Sequence, residues 1–398
     1  VPLFLGGFKM KLLSTVTVIT ALTLGGAAHA KCGGNFGSFV NGLKKEARSK
    51  GFSKSDADTF FANVKADGKV LKLDRSQAVF RQNFSQFAGR VVSSNRLNVG
   101  ASKRKQFASS FKRAEANYGV PAPVLLAFWA METDFGANQG GFNTLNALAT
   151  LSHDCRRPNL FRPQIFAAMA LWKKGTFSPT TSKGAWAGEI GMVQMLPEDV
   201  LNNGVDGDGD GRVDLVKSAP DAILTSAKVL QNHGWQKGQP WMVEVSIPSK
   251  MDWSKTGLGK PQKVSSWAKQ GVKLKGKASS KLNASLLLPE GRKGPAFLVF
   301  DNFDVYFKWN KSLVNVTSAA YFATRLNGAP RFNAGSPDAP LSGADMVKLQ
   351  KRLKARGHDV GKVDGILGAK TRAAVQKEQK RVDLPADAWP TKGLIGKL

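Results

Sequence analysis

Apolar residues recur at helical spacing along most of this chain. Phe36, Phe39, Val40 and Leu43 lie three and four positions apart and predict a helix that ends at Gly51. The stretch KRKQFASSFKRAEANYGVP predicts a second amphipathic helix, stopped by Gly119 and Pro121, and Pro123 then suits the first turn of the next helix. RPQIFAAMALWKKG and DAILTSAKVLQNHGW predict two more, each closed by a glycine. Between about Gly238 and Pro295 the text turns Lys-, Gly- and Ser-rich with short extended pieces such as MVEVSIP, which predicts a small strand-bearing insertion. GPAFLVFDNFDVYFKWN then reads as strand, turn and return to helix.

Residues 327–341 are rich in Gly, Pro, Ala and Ser without apolar periodicity, the pattern of a linker. In the segment 342–398, Ser342 and Asp345 form a capping-box start. Met346, Leu349 and Leu353 mark one helical face, Gly357 ends it, and a second helix follows a turn. The expected fold class is therefore mainly α. A helical domain at 31–326 carries the strand-containing insertion, and 342–398 forms a small helical domain. A small module on a linker commonly holds a larger domain near its target.

One position breaks the pattern. The run VLLAFWAM is uncharged until Glu132, which shares a helical face with Leu125, Phe128, Trp129 and Phe135. An unpaired carboxyl there is desolvated, which raises its pKa and keeps it protonated near neutrality. A protonated carboxyl in a cleft is what general-acid cleavage of a glycosidic bond requires. A structural glutamate paired with a buried arginine or a backbone N–H would give the same pattern. Asp134 falls near the opposite face and reads as a helix-end residue, not a second carboxylate.

Composition narrows the setting. At 398 residues, 42% of them hydrophobic, the chain is globular and long enough for roughly two or three domains. Its 58 Lys and Arg against 29 Asp and Glu give a net charge of +29, which calls for a polyanionic partner: nucleic acid, an anionic membrane surface or the cell wall. Met10 and Lys11 precede an apolar run from Leu12 to Ala28, and Ala28 and Ala30 occupy the small positions of a cleavage site. Residues 1–30 thus read as an extension plus an export signal cut near Ala30, and the mature product is expected in the periplasm. An uncleaved anchor is the alternative, against which the four Thr and one Ser of the run weigh. Export moves wall and membrane surface ahead of nucleic acid. In an oxidising compartment the two cysteines, Cys32 and Cys155, read as one disulfide in preference to a metal site or a nucleophile.

DGDGDGRVDLVK places Asp206, Asp208 and Asp210 at positions 1, 3 and 5 of an EF-hand-like loop, with Gly211 at position 6. Lys217 stands at position 12, where a bidentate glutamate belongs, and Ser218 could replace it only weakly. The expectation is weak structural binding of Ca²⁺ or another cation, weighed against a simple Asp/Gly turn. No His/Cys cluster has zinc spacing and no glycine loop suits a phosphate, so no cofactor is expected to be required.

The blocks YGVPAPVLLAFWAMETDFG, NALATLSHDCRRPNLF, KGAWAGEIGMVQMLP, DGDGDGRVDL and DNFDVYFKWN resemble, in order, the landmarks of the B-type lytic murein transglycosylases. The tail LQKRLKARGHDVGKVDGILGAKTRAAVQKEQK resembles the small helical peptidoglycan-binding module of many wall enzymes. The resemblance implies a lysozyme-like helical catalytic domain that cleaves the β-1,4 bond between N-acetylmuramic acid and N-acetylglucosamine without water. Glu132 would act as general acid and then as base toward the muramic C6 hydroxyl, which closes a 1,6-anhydro ring. Such a mechanism needs one carboxyl, and the sequence offers one compelling acid, not a pair.

The resemblance also implies substrate contacts. Arg156 and Arg157 would meet the saccharide or the stem-peptide carboxylates, although adjacent cations in a loop are often simply solvated. Gln194 would hydrogen-bond a sugar acetamido group or else act as a capping amide, and Asn310 would orient the catalytic carboxyl. Two departures touch these surroundings: Ala185, followed by Trp186, stands where the family carries a serine, and the segment after Asn310 lacks a recognisable aromatic at the expected offset. The implied partners are peptidoglycan glycan strands and stem peptides, with electrostatic contact to an anionic membrane surface, no specific nucleic acid, and a monomeric enzyme. A hydrolytic muramidase and a non-catalytic wall-binding scaffold are the competing readings. A basic nucleic-acid binder lacks a recognisable motif.

Overall fold

The computed structural model describes residues 32–76 and 82–398, so the expected export signal lies outside the described residues. Three hydrophobic cores organise the chain: a large helical one, one under a sheet, and one in the C-terminal segment. At the centre of the first is the helix Ala122–Thr133, surrounded by Ser94–Gln106, Ala108–Tyr118, Ala219–Asn232 and Leu313–Leu326. Every residue from Ala122 to Ala130 is buried. The expectation of one apolar face is therefore corrected, because this helix is enclosed on all sides, as a helix hydrophobic all round must be.

The stretch read as one helix at 103–121 is two. Ser94–Gln106 and Ala108–Tyr118 meet at Phe107 (φ −111°, ψ 33°), whose ring packs 5.8 Å from that of Trp129. The break aims an aromatic side chain into the core, a tertiary gain that outweighs continued helix.

The insertion forms a five-stranded antiparallel sheet in the order Gln262–Lys263, Asn283–Leu287, Phe297–Val299, Met242–Ser246, Lys273–Leu274. Strand alternation divides two cores. Met242, Leu287, Phe297 and Val299 face the helices, while Val243, Leu286 and Leu298 face the smaller core around Trp253 and the fully buried Trp267. Because both sheet faces are covered, the strands read as the near-continuous apolar runs SLLL and FLVF.

Residues 327–341 contain no helix or strand, but they are packed where a loose linker was expected. The Phe332 ring lies 4.9 Å from Tyr321 and 5.1 Å from Phe84, the Asn333 N–H donates to Glu244 at 2.8 Å, and Lys293 pairs with Asp338 at 2.6 Å. One aromatic in a stretch of small residues is enough to seat it.

The C-terminal helices Gly343–Ala355, Ala369–Arg381 and Lys392–Lys397 enclose their own core and dock on the sheet. Arg372 donates to the carbonyls of Leu288 and Pro289 and lies 5.6 Å from the Trp389 ring. The Gln376 amide donates to the carbonyls of Trp253 (3.1 Å), Thr256 (3.0 Å) and Ala386 (2.8 Å), and its oxygen accepts from Lys260. Replacing this buried amide leaves carbonyls unpaired in a closed interface. Gln376→Leu should lower the unfolding free energy by about 1–3 kcal/mol in urea titration. An unchanged midpoint would show that the docking adds nothing to stability.

Candidate active site

The site is built at the C-terminal end of the central helix. Asp134 and Phe135 both take left-handed backbone (φ 53° and 59°), which ends the helix, and the Asp134 carboxylate is held by Arg96 at 3.0 Å. The Thr133 hydroxyl donates to the Met192 carbonyl at 2.5 Å and accepts from the Gly136 N–H at 2.9 Å. The last helical turn is thus fastened to the glycine-rich segment 184–195, and Glu132 faces the space between them.

Glu132 is half-buried as a residue, and its carboxyl is strongly desolvated. The Trp309 indole N–H donates to its Oε1 at 2.9 Å. The Trp309 ring packs 4.5 Å from Phe128, whose ring stacks on Tyr306 at 4.9 Å. Burial pushes the Glu132 carboxyl up to about 7, the indole donor pulls it down, and the negative charge of Glu189 pushes it up again. An indole can only donate and carries no charge. It therefore fixes one oxygen without the strong acidification that Arg or Lys would bring, and the other oxygen is left to carry the proton.

Segment 184–195 folds back on itself: the Ala185 N–H donates to the Glu189 carbonyl at 2.9 Å, and Ile190 bridges both Gly184 and Met195. Two glycines are required for this. A Cβ at Gly184 would lie 1.9 Å from the Glu189 carbonyl oxygen, and one at Gly188 (φ 90°) would lie 2.2 Å from Leu148. The fold turns Glu189 inward, with its Oε2 buried and without a hydrogen-bond partner among the described residues. Burial raises the Glu189 carboxyl above its ordinary range, opposed by its own backbone N–H and by Arg157. Gln194, left-handed at φ 49°, sends its amide nitrogen to the carbonyls of Gly191 (2.9 Å) and Gln139 (3.2 Å), so this nitrogen braces the segment.

Arg156 and Arg157 stand on a loop tied down from two sides. Cys155 is disulfide-bonded to Cys32 (Cα–Cα 5.2 Å), and both guanidinium groups pair with the buried Asp74. Each arginine remains about half exposed, so neither is fully consumed. Arg157 also lies over the Phe161 ring at 5.0 Å.

Asn310 does not orient Glu132. Its side-chain oxygen accepts from the Ser312 N–H at 2.9 Å, because it sits just past the helix Asp301–Trp309 and caps the next turn. The side chain that hydrogen-bonds Glu132 is that of its neighbour Trp309. The structure thus gives Glu132 two partners from distant segments, Trp309 by a hydrogen bond and Glu189 by its charge, and Arg157 acts in turn on Glu189. Sequence reasoning missed Trp309 and Glu189. For Glu189 the signal was present, since a carboxyl between glycines and apolar residues in AGEIG is the same anomaly that singled out Glu132.

The Asp206, Asp208 and Asp210 carboxylates converge, with one oxygen of each within 4.8 Å of the others. Asp206 also accepts from the Gly209 and Gly211 N–H groups, and Asp208 accepts from the Ser218 hydroxyl at 2.6 Å. The buried Asp221 accepts from Gly207 at 2.8 Å and from Asp214 at 2.7 Å, which sets the loop. Three hard oxygens fit Ca²⁺ by type, but fall short of its six to eight ligands with Lys217 at the closing position.

Residues 35–324 match the transglycosylase SLT domain family, and residues 342–398 match the family described as a putative peptidoglycan binding domain. SltB3 of Pseudomonas aeruginosa, solved in complex with NAG-anhNAM-pentapeptide, is 34% identical, with 92% of this chain and 99% of that chain covered and a TM-score of 0.84. The same protein in complex with NAG-NAM-pentapeptide gives 34%, 92%, 100% and 0.83 respectively. The membrane-bound lytic murein transglycosylase B of Escherichia coli K12 is 26% identical over 219 residues, or 52% of this chain. The match spans 60% of that relative's length.

Because the Trp309 donor favours the ionised carboxylate, its removal should move the Glu132 titration upward. In Trp309→Phe, the carboxyl followed by ¹³C NMR is expected to titrate at higher pH than in the parent. An unmoved titration would mean that this hydrogen bond does not act on the acid.

Proposed function

Given that the chain belongs to the transglycosylase SLT domain family, as a B-type lytic transglycosylase with a C-terminal peptidoglycan-binding module, we propose that Glu132 performs its chemistry alone as acid and then base. The reaction cleaves the β-1,4 bond between N-acetylmuramic acid and N-acetylglucosamine in peptidoglycan. The Glu132 proton goes to the glycosidic oxygen as the C1–O bond breaks, and the N-acetylglucosamine side leaves as an alcohol. The C6 hydroxyl of the muramic residue then bonds to C1, and its proton returns to Glu132. A 1,6-anhydromuramic end results, the carboxyl is restored, and no water is consumed.

The observation that carries this reading is the state of the Glu132 carboxyl, buried, raised to about 7 and held at one oxygen by a neutral donor. A group balanced near neutrality can give a proton and take one back in the same turnover. The half-exposed Arg156 and Arg157 supply cations for a saccharide or stem-peptide carboxylate, and Gln194 braces the segment that carries Glu189. The loop at 206–217 would hold a structural cation through Asp206, Asp208 and Asp210, which would supply no chemistry to the cleft.

The enzyme acts outside the cytoplasm as a periplasmic monomer, where its substrate lies. Among the described residues no helix is long and apolar enough to cross a membrane. The charge of +29 favours the anionic wall and membrane surface over any specific nucleic acid.

Purified wall treated in parallel with the parent and Glu132→Gln, followed by mass spectrometry, tests the assignment. The parent should release anhydro-muropeptides and the variant should lose roughly a hundredfold or more in rate. Wild-type release by the variant would make Glu132 structural, and reducing muropeptides alone would indicate hydrolysis. In the parent, activity should be retained below about pH 7 and decline above it, as the acid loses its proton.

A further inference from the structure

The mechanism above leaves one buried titratable group unused. Glu189 sits in a segment whose Gly184 and Gly188 leave no room for a side chain, and the Thr133–Met192 hydrogen bond ties that segment to the turn bearing Glu132. Its Oε2 is buried without a hydrogen-bond partner among the described residues. Its neighbours within the segment are Ile190, Gly188 and Ala187, which offer no charge. A carboxylate so placed is costly to maintain, and a glutamine or an alanine would fill the turn without that cost.

We infer that Glu189 is a positioning residue for the reaction: the second carboxylate of the cleft acts through space on Glu132 and keeps the acid protonated until the leaving oxygen takes the proton. The inference rests on Glu132 being the acid. Two buried carboxyls on segments fastened to each other by the Thr133–Met192 hydrogen bond resist double ionisation, so a charge on Glu189 holds the proton on Glu132. Burial raises the Glu189 carboxyl, and its own backbone N–H and Arg157, the latter restrained by Asp74 and by the disulfide at Cys155, work against that rise and favour its ionised form. The direction of the Glu132 shift agrees, since Glu189 is the charged group that raises it.

Several other charges on the surrounding elements have neighbours of their own. Arg96 pairs with Asp134, and Lys103 lies over the rings of Phe107 and Trp129 at 5.6 and 5.8 Å. Arg113 donates to the Gly207 carbonyl, Arg325 donates to the Ala329 carbonyl, and Asp221 orders the metal-like loop. On the helix carrying Trp309, Asp301 acts on Asp304, and Lys308 acts on His233.

The test is the pH profile of wall lysis by full-length parent, Glu189→Gln and Glu189→Asp, with thermal melts as a check on folding. Removing the charge should lower the pH at which Glu132 loses its proton. Glu189→Gln should therefore keep its rate within about twofold of the parent near pH 5 and fall several-fold behind it near neutrality. The basic limb of its profile should lie at lower pH, and Glu189→Asp should return it toward the parent. An equal loss at every pH would overturn the inference in favour of a structural role. A switch in product from reducing to anhydro ends would also overturn it, by making Glu189 a base toward water. If Glu132→Gln is inactive and the Glu189→Gln limb is unmoved, this inference alone fails. If Glu132→Gln is fully active, the assignment of the acid fails first.

Discussion

The structure depends on keeping one carboxyl dry and lightly held. Glu132 ends a helix that is buried from Ala122 to Ala130, and the hydrogen-bond donor the structure gives it is an uncharged indole. A cation in that place would stabilise the carboxylate and surrender the proton at neutral pH, while no donor at all would leave the group without orientation. The indole meets both requirements at once, and it is supported by stacking of Trp309 on Phe128 and of Phe128 on Tyr306. The fold positions the Glu132 carboxyl through aromatic packing instead of a salt bridge.

Two polar segments are each fastened by residues far away in sequence. The loop with Arg156 and Arg157 is closed by a disulfide across 123 residues and by Asp74, while the segment 184–195 is closed by glycines and by Thr133. Each closure removes freedom from a strip of backbone that carries polar groups into the cleft. Loops held this way lose little entropy when a saccharide binds, since the ordering has been completed on folding.

How much of this was legible follows from which forces were local. The helices around the core, the strand-bearing insertion and the C-terminal helices follow from apolar period and from Gly and Pro, which act within a few residues. The break at Phe107 was not legible, because it is decided by Trp129, a residue in another helix. Residues 327–341 read as loose because one aromatic, Phe332, was outvoted by fourteen neighbours of mostly small or polar type. At the site, Glu132 announced itself as a charge in an apolar run. Glu189 showed the same anomaly in a shorter run, but its meaning depends on a fold-back that only the three-dimensional bridges Gly184–Ile190 and Ile190–Met195 reveal. Trp309 had no anomaly at all. A tryptophan beside an asparagine looks like core, and its hydrogen bond spans 177 positions.

The same distinction bears on the C-terminal module. A small domain after a Gly- and Pro-rich stretch suggests a flexible tether, whose benefit is effective concentration and whose geometry is loose. The buried contacts of Gln376 and Arg372 with the segments flanking the sheet support a different arrangement. A docked module would fix the distance between the strand it holds and Glu132, the carboxyl proposed as the acid. What is lost is reach along the wall. What is gained is that binding energy from the module can orient the scissile bond instead of merely retaining the enzyme nearby, since orientation is where remote contacts contribute most to a rate. A cleft whose acid depends on a dry, fixed setting benefits more from a rigid second foothold than from a long leash.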